Sequence, residues 1–458
     1  MPADLVVHNG LVVTATETFP GGVAITNGQI VAVGADSALP AAREVIDVGG
    51  KVITPGLVDF HVHFREPGLT YKEDFTTGST AAVLGGLTCV LDMPNTKPPT
   101  STPEVVAQRA AAIAAKSYCD VVLVGVVVQE NVDQIVPMAA AGVVGFKVFL
   151  GETIGNLPAP DDGMLLDALA QVARTGLRIG FHAENNQILQ HRTRQMRATG
   201  RQDMAAFLES RPAVCEAEAI QRMALFARYT GAKIHIYHLS SQDGAQMVRE
   251  WKDKGVDITT ETCPHYLFLP AEQYLEPLRT RLRVNPPVRT GEHGAYLYQA
   301  LLDGTVDMVA TDHAPHTAEE KLNPDLWQAL SGFTGTETLV QLLLSEAVHK
   351  RGLTLNQLVR LCSENPAKIW DVWPRKGSLH IGADGDLTVL DLNRPWTIDE
   401  ARLHSKNNIT PWHGWQGKGQ PVMTIVRGRV VMRDGALVTD RPTGQMVRPL
   451  PPAAPQQS

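Results

Sequence analysis

The sequence predicts an α/β fold: a (β/α)8 TIM barrel carrying a small β-sandwich domain built from both chain ends. Three observations predict it. Apolar, strand-like runs alternate with helix-like stretches through the middle of the chain. Nearly every run ends in a polar residue, as barrel strands do where they meet an active site. The two chain ends share a texture of short strands and tight turns.

Taken in order, residues 1–53 read as short strands. LVVHNGLVV and VAITNGQIVAVG carry Asn9-Gly10 and Asn27-Gly28, the pair favoured in hairpin turns. The texture returns in ADGDLTVLDL and VMTIVRGRVVMRDGALV, with turns expected at Arg427-Gly428 and Asp434-Gly435. The match predicts one composite sandwich from residues 1–53 and 377–440; two unrelated β extensions are the alternative. Residues 441–458 end in the proline-rich RPLPPAAPQQS and read as a C-terminal tail, disordered or wrapped over the surface.

The barrel is expected over residues 54–376. Its eight runs are GLVDFHVHF, LTCVLDMP, DVVLVGVVV, VVGFKVFL, LRIGFHAE, AKIHIYHLS, VDITTETCPHY and VDMVATDHAPH. Helix-like segments such as STPEVVAQRAAAIAAK and AEAIQRMALFARYTG lie between them. A doubly wound open sheet also fits the alternation, but the polar strand ends favour the barrel.

Bulk properties narrow the function. A net charge of -7 with no basic stripe argues against a nucleic-acid partner. No stretch approaches the roughly 20 apolar residues of a membrane span, and no signal peptide is read at MPADLVVHNG. Five scattered cysteines form no CxxC pair, which fits a reducing cytoplasm. A small-molecule substrate and a homo-oligomer, dimer or tetramer, are expected.

The chemistry sits at the run ends. His61 and His63 are two apart, so on a strand both imidazoles share a face and can reach one ion. Lys147 lies inside an apolar run, where an ammonium is costly unless paired or neutralised. It either snorkels from the strand end or carries a carbamate, whose two oxygens can bridge two metals. His182, His238 and Asp312 end the fifth, sixth and eighth runs. Nitrogen and oxygen donors of this kind suit zinc, manganese, iron or cobalt.

An HxH pair, a lysine in the fourth run, two later histidines and a final aspartate resemble the amidohydrolase superfamily over nearly the whole chain. The resemblance implies two divalent metal ions, zinc first among them, bridged by carbamylated Lys147. One ion falls to His61, His63, Lys147 and Asp312, the other to Lys147, His182 and His238. Within the superfamily, HVHFREPG (61–68), MPNTKPPT (93–100), RVNPPVR (283–289) and DHAPHTAEEK (312–321) resemble dihydroorotases. That likeness implies opening of a cyclic amide, with Asp312 as catalytic base and then acid. Arg65 suits the substrate's carboxylate through paired hydrogen bonds; an ion pair with Glu66 or Asp74 is the alternative. The likeness adds Asn95 on the carboxylate and Asn285 and His316 on the ring or the acid, although Asn95 also suits a turn and His316 a loop cap. It also gives GFTGTET (332–338) as a backbone wall.

Other features point to neighbouring families. Lys147, GETIGNLPAPDDG (151–163) and GRQDMAAFLESRP (200–212) are similar to hydantoinases. The tyrosine that hydantoinases place after the lysine is missing, as FLGETIG shows. Arg65 and His316 depart from the allantoinase pattern. Hydantoinase, dihydropyrimidinase and allantoinase therefore stand as alternatives, with a non-catalytic scaffold as a remote one.

Overall fold

A computed structural model describes residues 2–152 and 157–451. Its centre is a sheet of eight parallel strands in sequence order: β1 (Leu57–Val62), β2 (Leu87–Asp92), β3 (Asp120–Val126), β4 (Gly145–Phe149), β5 (Arg178–His182), β6 (Lys233–Ile236), β7 (Ile258–Thr262) and β8 (Met308–Val309). The chain just beyond β8 closes the sheet onto β1. His63 N–H donates to the carbonyl of His313 at 2.7 Å, and His313 N–H returns to the carbonyl of His61 at 3.3 Å. The strands are buried on both faces, so β3 reads DVVLVGV without polar alternation.

Helices cover the barrel, and their ends are written locally. Asp161 caps Asp162–Thr175 by accepting from Met164 N–H at 3.0 Å. Leu165, Ala168, Leu169 and Val172 form its buried stripe, and Gly176 ends it in the left-handed region at φ 75°. Pro103 opens Pro103–Lys116, where its missing N–H costs nothing.

Beneath the polar strand ends lies an aromatic floor. Trp370 stacks on Tyr237 with centroids 5.9 Å apart. Gly145 on β4 and Gly180 on β5 make room for it: a Cβ at the first would press on Trp370, and at the second it would overlap the Tyr237 ring.

The chain ends meet in one mixed, nine-stranded sheet. Val52–Pro55, from the N-terminal part, pairs antiparallel with Leu387–Thr397, bringing Ile53 opposite Val389. Leu5, Val7, Val23, Leu387 and Ile425 share one apolar cluster. The expected turns at Asn27-Gly28, Arg427-Gly428 and Asp434-Gly435 all have positive φ at both residues. Asn9-Gly10 corrects the reading. It is no turn but a register shift inside the continuous strand Ala3–Val13. Asn9 takes a φ of 55° there, with its amide on Asp47 at 2.7 Å and its N–H on Asp36. Pairing to neighbouring segments overrides the local turn preference.

A buried charge cluster ties this sheet to the barrel. Lys376, 1% exposed, meets Asp120 of β3, Asp386 at 2.7 Å and Asp384 at 2.9 Å. Arg427 also pairs with Asp120. Further on, Val121 and Val447 are joined by a 2.9 Å backbone bond, and Met446 bridges Val121. Residues 452–458 of the expected tail, and 153–156 of the segment similar to hydantoinases, lie outside the described residues. Among the described residues, no helix is long and apolar enough to cross a membrane. All five cysteines are free and buried.

Candidate metal centre and substrate cavity

The closed barrel brings the six candidate ligands together above the aromatic floor. His61 and His63 come from the end of β1, Lys147 from β4 and His182 from β5. His238 and Asp312 lie just past β6 and β8. Asp312 Oδ1 sits 3.2 Å from His61 Nε2 and 3.1 Å from His63 Nε2. Lys147 Nζ is 3.1 Å from His61 Nε2, and 4.1 Å from the Tyr237 ring centroid. On the other side, His182 Nδ1 and His238 Nε2 are 3.0 Å apart. His238 and Asp312 hold φ values of 41° and 50°, conformations that side chains rarely adopt and that cluster at functional sites.

The far nitrogens decide which atoms face the centre. His61 Nδ1 bonds Glu261, and His63 Nδ1 is 2.7 Å from Asn95 Oδ1. His182 Nε2 is 2.9 Å from Glu184, itself clamped by Arg211. Burial drives these imidazoles to the neutral form, His63 down to about 4. Each then has one proton, and acidic or amide oxygens claim it on the far side. Two lone pairs, on His61 and His63, therefore point at the same Asp312 oxygen. Three acceptors converging this closely repel one another unless a cation lies between them, so the residues fit a metal.

Lys147 is 1% exposed and has no carboxylate within ion-pair distance among the described residues. Burial brings its amine down to about 8, against the opposing pull of Asp312 and Glu261.

Arg65, Asn95, Asn285, Ala314 and Ser331 line one cavity together with His63, Lys147, His182, His238 and Asp312. Arg65 is 1% exposed, and its Nε has no partner among the described residues. Neither suggested acid neutralises it. Glu66 holds Lys116 and Phe75 N–H, while Asp74 caps helix Phe75–Leu84 and holds Lys406. Burial lowers the guanidinium to about 10, with Asp312 and Asp92 pulling it back up.

A family model described as Amidohydrolase family matches residues 52–431. The chain belongs to the amidohydrolase family. An L-hydantoinase from Paenarthrobacter aurescens is 34% identical over 97% of this chain and 98% of its own. An allantoinase from Rubrobacter xylanophilus is 38% identical over 97% and 98%, and a dihydroorotase from a Geobacter species is 34% identical over 94% and 100%. The solved L-hydantoinase from Arthrobacter aurescens superposes with a TM-score of 0.95 at 33% identity, covering 97% of this chain and 100% of that one. This amidohydrolase is thus a hydrolase of cyclic amides, in a family that works with a binuclear metal centre.

Within the amidohydrolase, His316 stands one contact away from the cavity lining. Its Nε2 bonds the Ser331 carbonyl at 3.0 Å and its Nδ1 is 3.2 Å from Lys72 Nζ. It buttresses the wall from behind, while the Ser331 hydroxyl donates to Asn285 Oδ1 at 3.0 Å. GFTGTET grips His313, whose Nδ1 accepts from Gly335 N–H at 3.2 Å. Sequence reasoning passed over Ser331, Glu184 and Glu261. Glu261 carried a weaker signal than Lys147: it is an acid in the seventh strand-like run, which also holds Asp257 and three threonines.

Proposed function

We propose that this amidohydrolase is a dihydroorotase, opening L-dihydroorotate to N-carbamoyl-L-aspartate in pyrimidine biosynthesis. The observation that carries the reading is Arg65, a buried guanidinium with no ion-pair partner among the described residues, beside the candidate metal ligands. A buried cation calls for a counter-charge. The ring carboxylate of dihydroorotate supplies one; hydantoin, dihydrouracil and allantoin do not.

In this reading two divalent ions, zinc first, are held by His61, His63, Asp312, His182, His238 and a carbamate on Lys147, and when bound they supply an activated water and polarise the scissile carbonyl. The Lys147 amine suits carbamylation, since the neutral form attacks carbon dioxide and loses a proton, and burial favours that form. Arg65 and the Asn95 amide nitrogen clamp the substrate carboxylate and fix the ring's orientation. Asn285 meets the ring. Asp312 takes the proton of the attacking water and delivers it to the leaving ring nitrogen.

A neutral ring is the second reading, favoured by the 0.95 superposition on an L-hydantoinase. Turnover of dihydroorotate, hydantoin, dihydrouracil and allantoin, measured side by side, tests both. A preference for dihydroorotate supports the proposal, and a preference for a neutral ring overturns it. A homo-oligomer belongs to the same proposal. Exposed Leu225 and Tyr229, one turn apart on helix Val214–Thr230, offer it an apolar face, and sedimentation of the purified protein tests it.

A further inference from the structure

We propose that Glu261 is the positioning residue for both halves of the metal centre, fixing the imidazole of His61 and the strained backbone at His238. The inference rests on the ligand assignment proposed above. Glu261 lies one residue before the end of β7, a strand that contributes no candidate ligand, and it does not line the substrate cavity. It is 0% exposed, and no lysine or arginine pairs with it among the described residues. Burying a carboxylate this way is unfavourable, and an apolar residue would pack there at less cost. Its hydrogen bonds explain its presence. Oε1 bonds His61 Nδ1 and also accepts the backbone N–H of His238 at 3.3 Å. Oε2 meets Nε2 of buried His235 at 3.3 Å, and the other ring nitrogen of His235 is tied to Thr259 at 2.9 Å.

One oxygen thus does two jobs. As a carboxylate it accepts the Nδ1 proton of His61, which turns the Nε2 lone pair toward Asp312 Oδ1, 3.2 Å away. It also holds the His238 peptide where φ is 41°, which aims that ring at His182. Glu261 therefore couples the two metal positions without touching either the ions or the substrate.

The test is metal affinity of the full-length protein, stripped with a chelator and titrated with cobalt(II) in bicarbonate buffer against a chromogenic competitor. Glu261→Leu, which keeps bulk but removes both oxygens, is expected to weaken binding at both positions by roughly tenfold to a hundredfold. Glu261→Gln keeps the accepting oxygen and can donate to His235, so its loss stays below about tenfold. A purely structural role would lower the melting temperature without moving the affinity of the folded protein. Should the leucine variant not fold, Glu261→Asp, one methylene short of His61, replaces it in the comparison. Wild-type affinity in the leucine or aspartate variant, or equal loss in the glutamine variant, overturns the inference. Failure of the wild type to bind two ions would instead overturn the ligand assignment.

Discussion

Asn95 Oδ1 lies 2.7 Å from His63 Nδ1. Because His63 Nε2 faces Asp312, the proton of this imidazole sits on Nδ1, and Asn95 must present oxygen to it. Its amide nitrogen is left to donate elsewhere. One side chain thereby orients a candidate metal ligand and offers a donor to the substrate. Asn95→Asp keeps the acceptor but sets a negative charge against the substrate's carboxylate. Expected are retained metal and a fall in kcat/KM for dihydroorotate of about tenfold to a hundredfold, with neutral rings spared. Asn95→Ala should lower metal content as well. Metal analysis beside kinetics on both substrate types checks the pair.

Arg65 offers the sharper substrate test. A charge-assisted pair in a partly dry pocket contributes about 1.5–3 kcal/mol, so Arg65→Met should reduce kcat/KM for dihydroorotate roughly tenfold to a hundredfold. Hydrolysis of hydantoin or dihydrouracil should hold steady or improve, since a neutral ring makes no use of the buried cation. An equal loss on acid and neutral rings would assign Arg65 to the scaffold.

Lys147 carries a pH prediction. Its amine titrates near 8, below the ordinary lysine value because it is buried. The reactive neutral form is therefore scarce below pH 8 and dominant above it. After acid treatment and metal removal, reactivation by bicarbonate and metal should accelerate as pH rises through about 8, once corrected for dissolved carbon dioxide. Lys147→Ala should be inactive, and short carboxylic acids should restore part of its activity by replacing the missing anion. A mass shift matching one carbamate, lost on acidification, gives an independent reading.

Lys376 carries a stability prediction. Removing it as Lys376→Met leaves Asp120, Asp384 and Asp386 facing one another in the interior, partly balanced by Arg427 and Arg375. Breaking a buried pair typically destabilises by about 3–5 kcal/mol. Without the ammonium, the folded protein's carboxyls bind protons more readily than the unfolded chain's. The deficit should then shrink as pH falls into the carboxylate range and grow as pH rises. Chemical denaturation at several pH values measures it.

The parts legible in the sequence are those that local periodicity records. Buried parallel strands read as unbroken apolar runs, and His61 and His63 share a face because strand side chains alternate. Lys147 declared itself by being polar where packing wants carbon. The remainder depends on distant segments. Asn9-Gly10 looks like a turn until Asp36 and Asp47 approach it. Glu261 acquires its role only when barrel closure brings His61 of β1 within reach of β7. His316 sits in a motif rich in site residues, yet its ring nitrogens are taken by the Ser331 carbonyl, from a separate loop, and by Lys72. Motif membership carries no information about which partner a side chain meets in the fold.

The joint between Val52–Pro55 and Leu387–Thr397 sets a timetable for the chain. During synthesis the N-terminal strands leave the ribosome first and wait, through the whole barrel, for the strand that covers their open edge. Until then that edge is free to pair with another nascent chain. All six candidate metal ligands, His61 to Asp312, precede Leu387 in the chain and so emerge before the strand that seals the sheet. A ribosome stalled short of Leu387 would hold every candidate ligand beside an adhesive, unfinished flank.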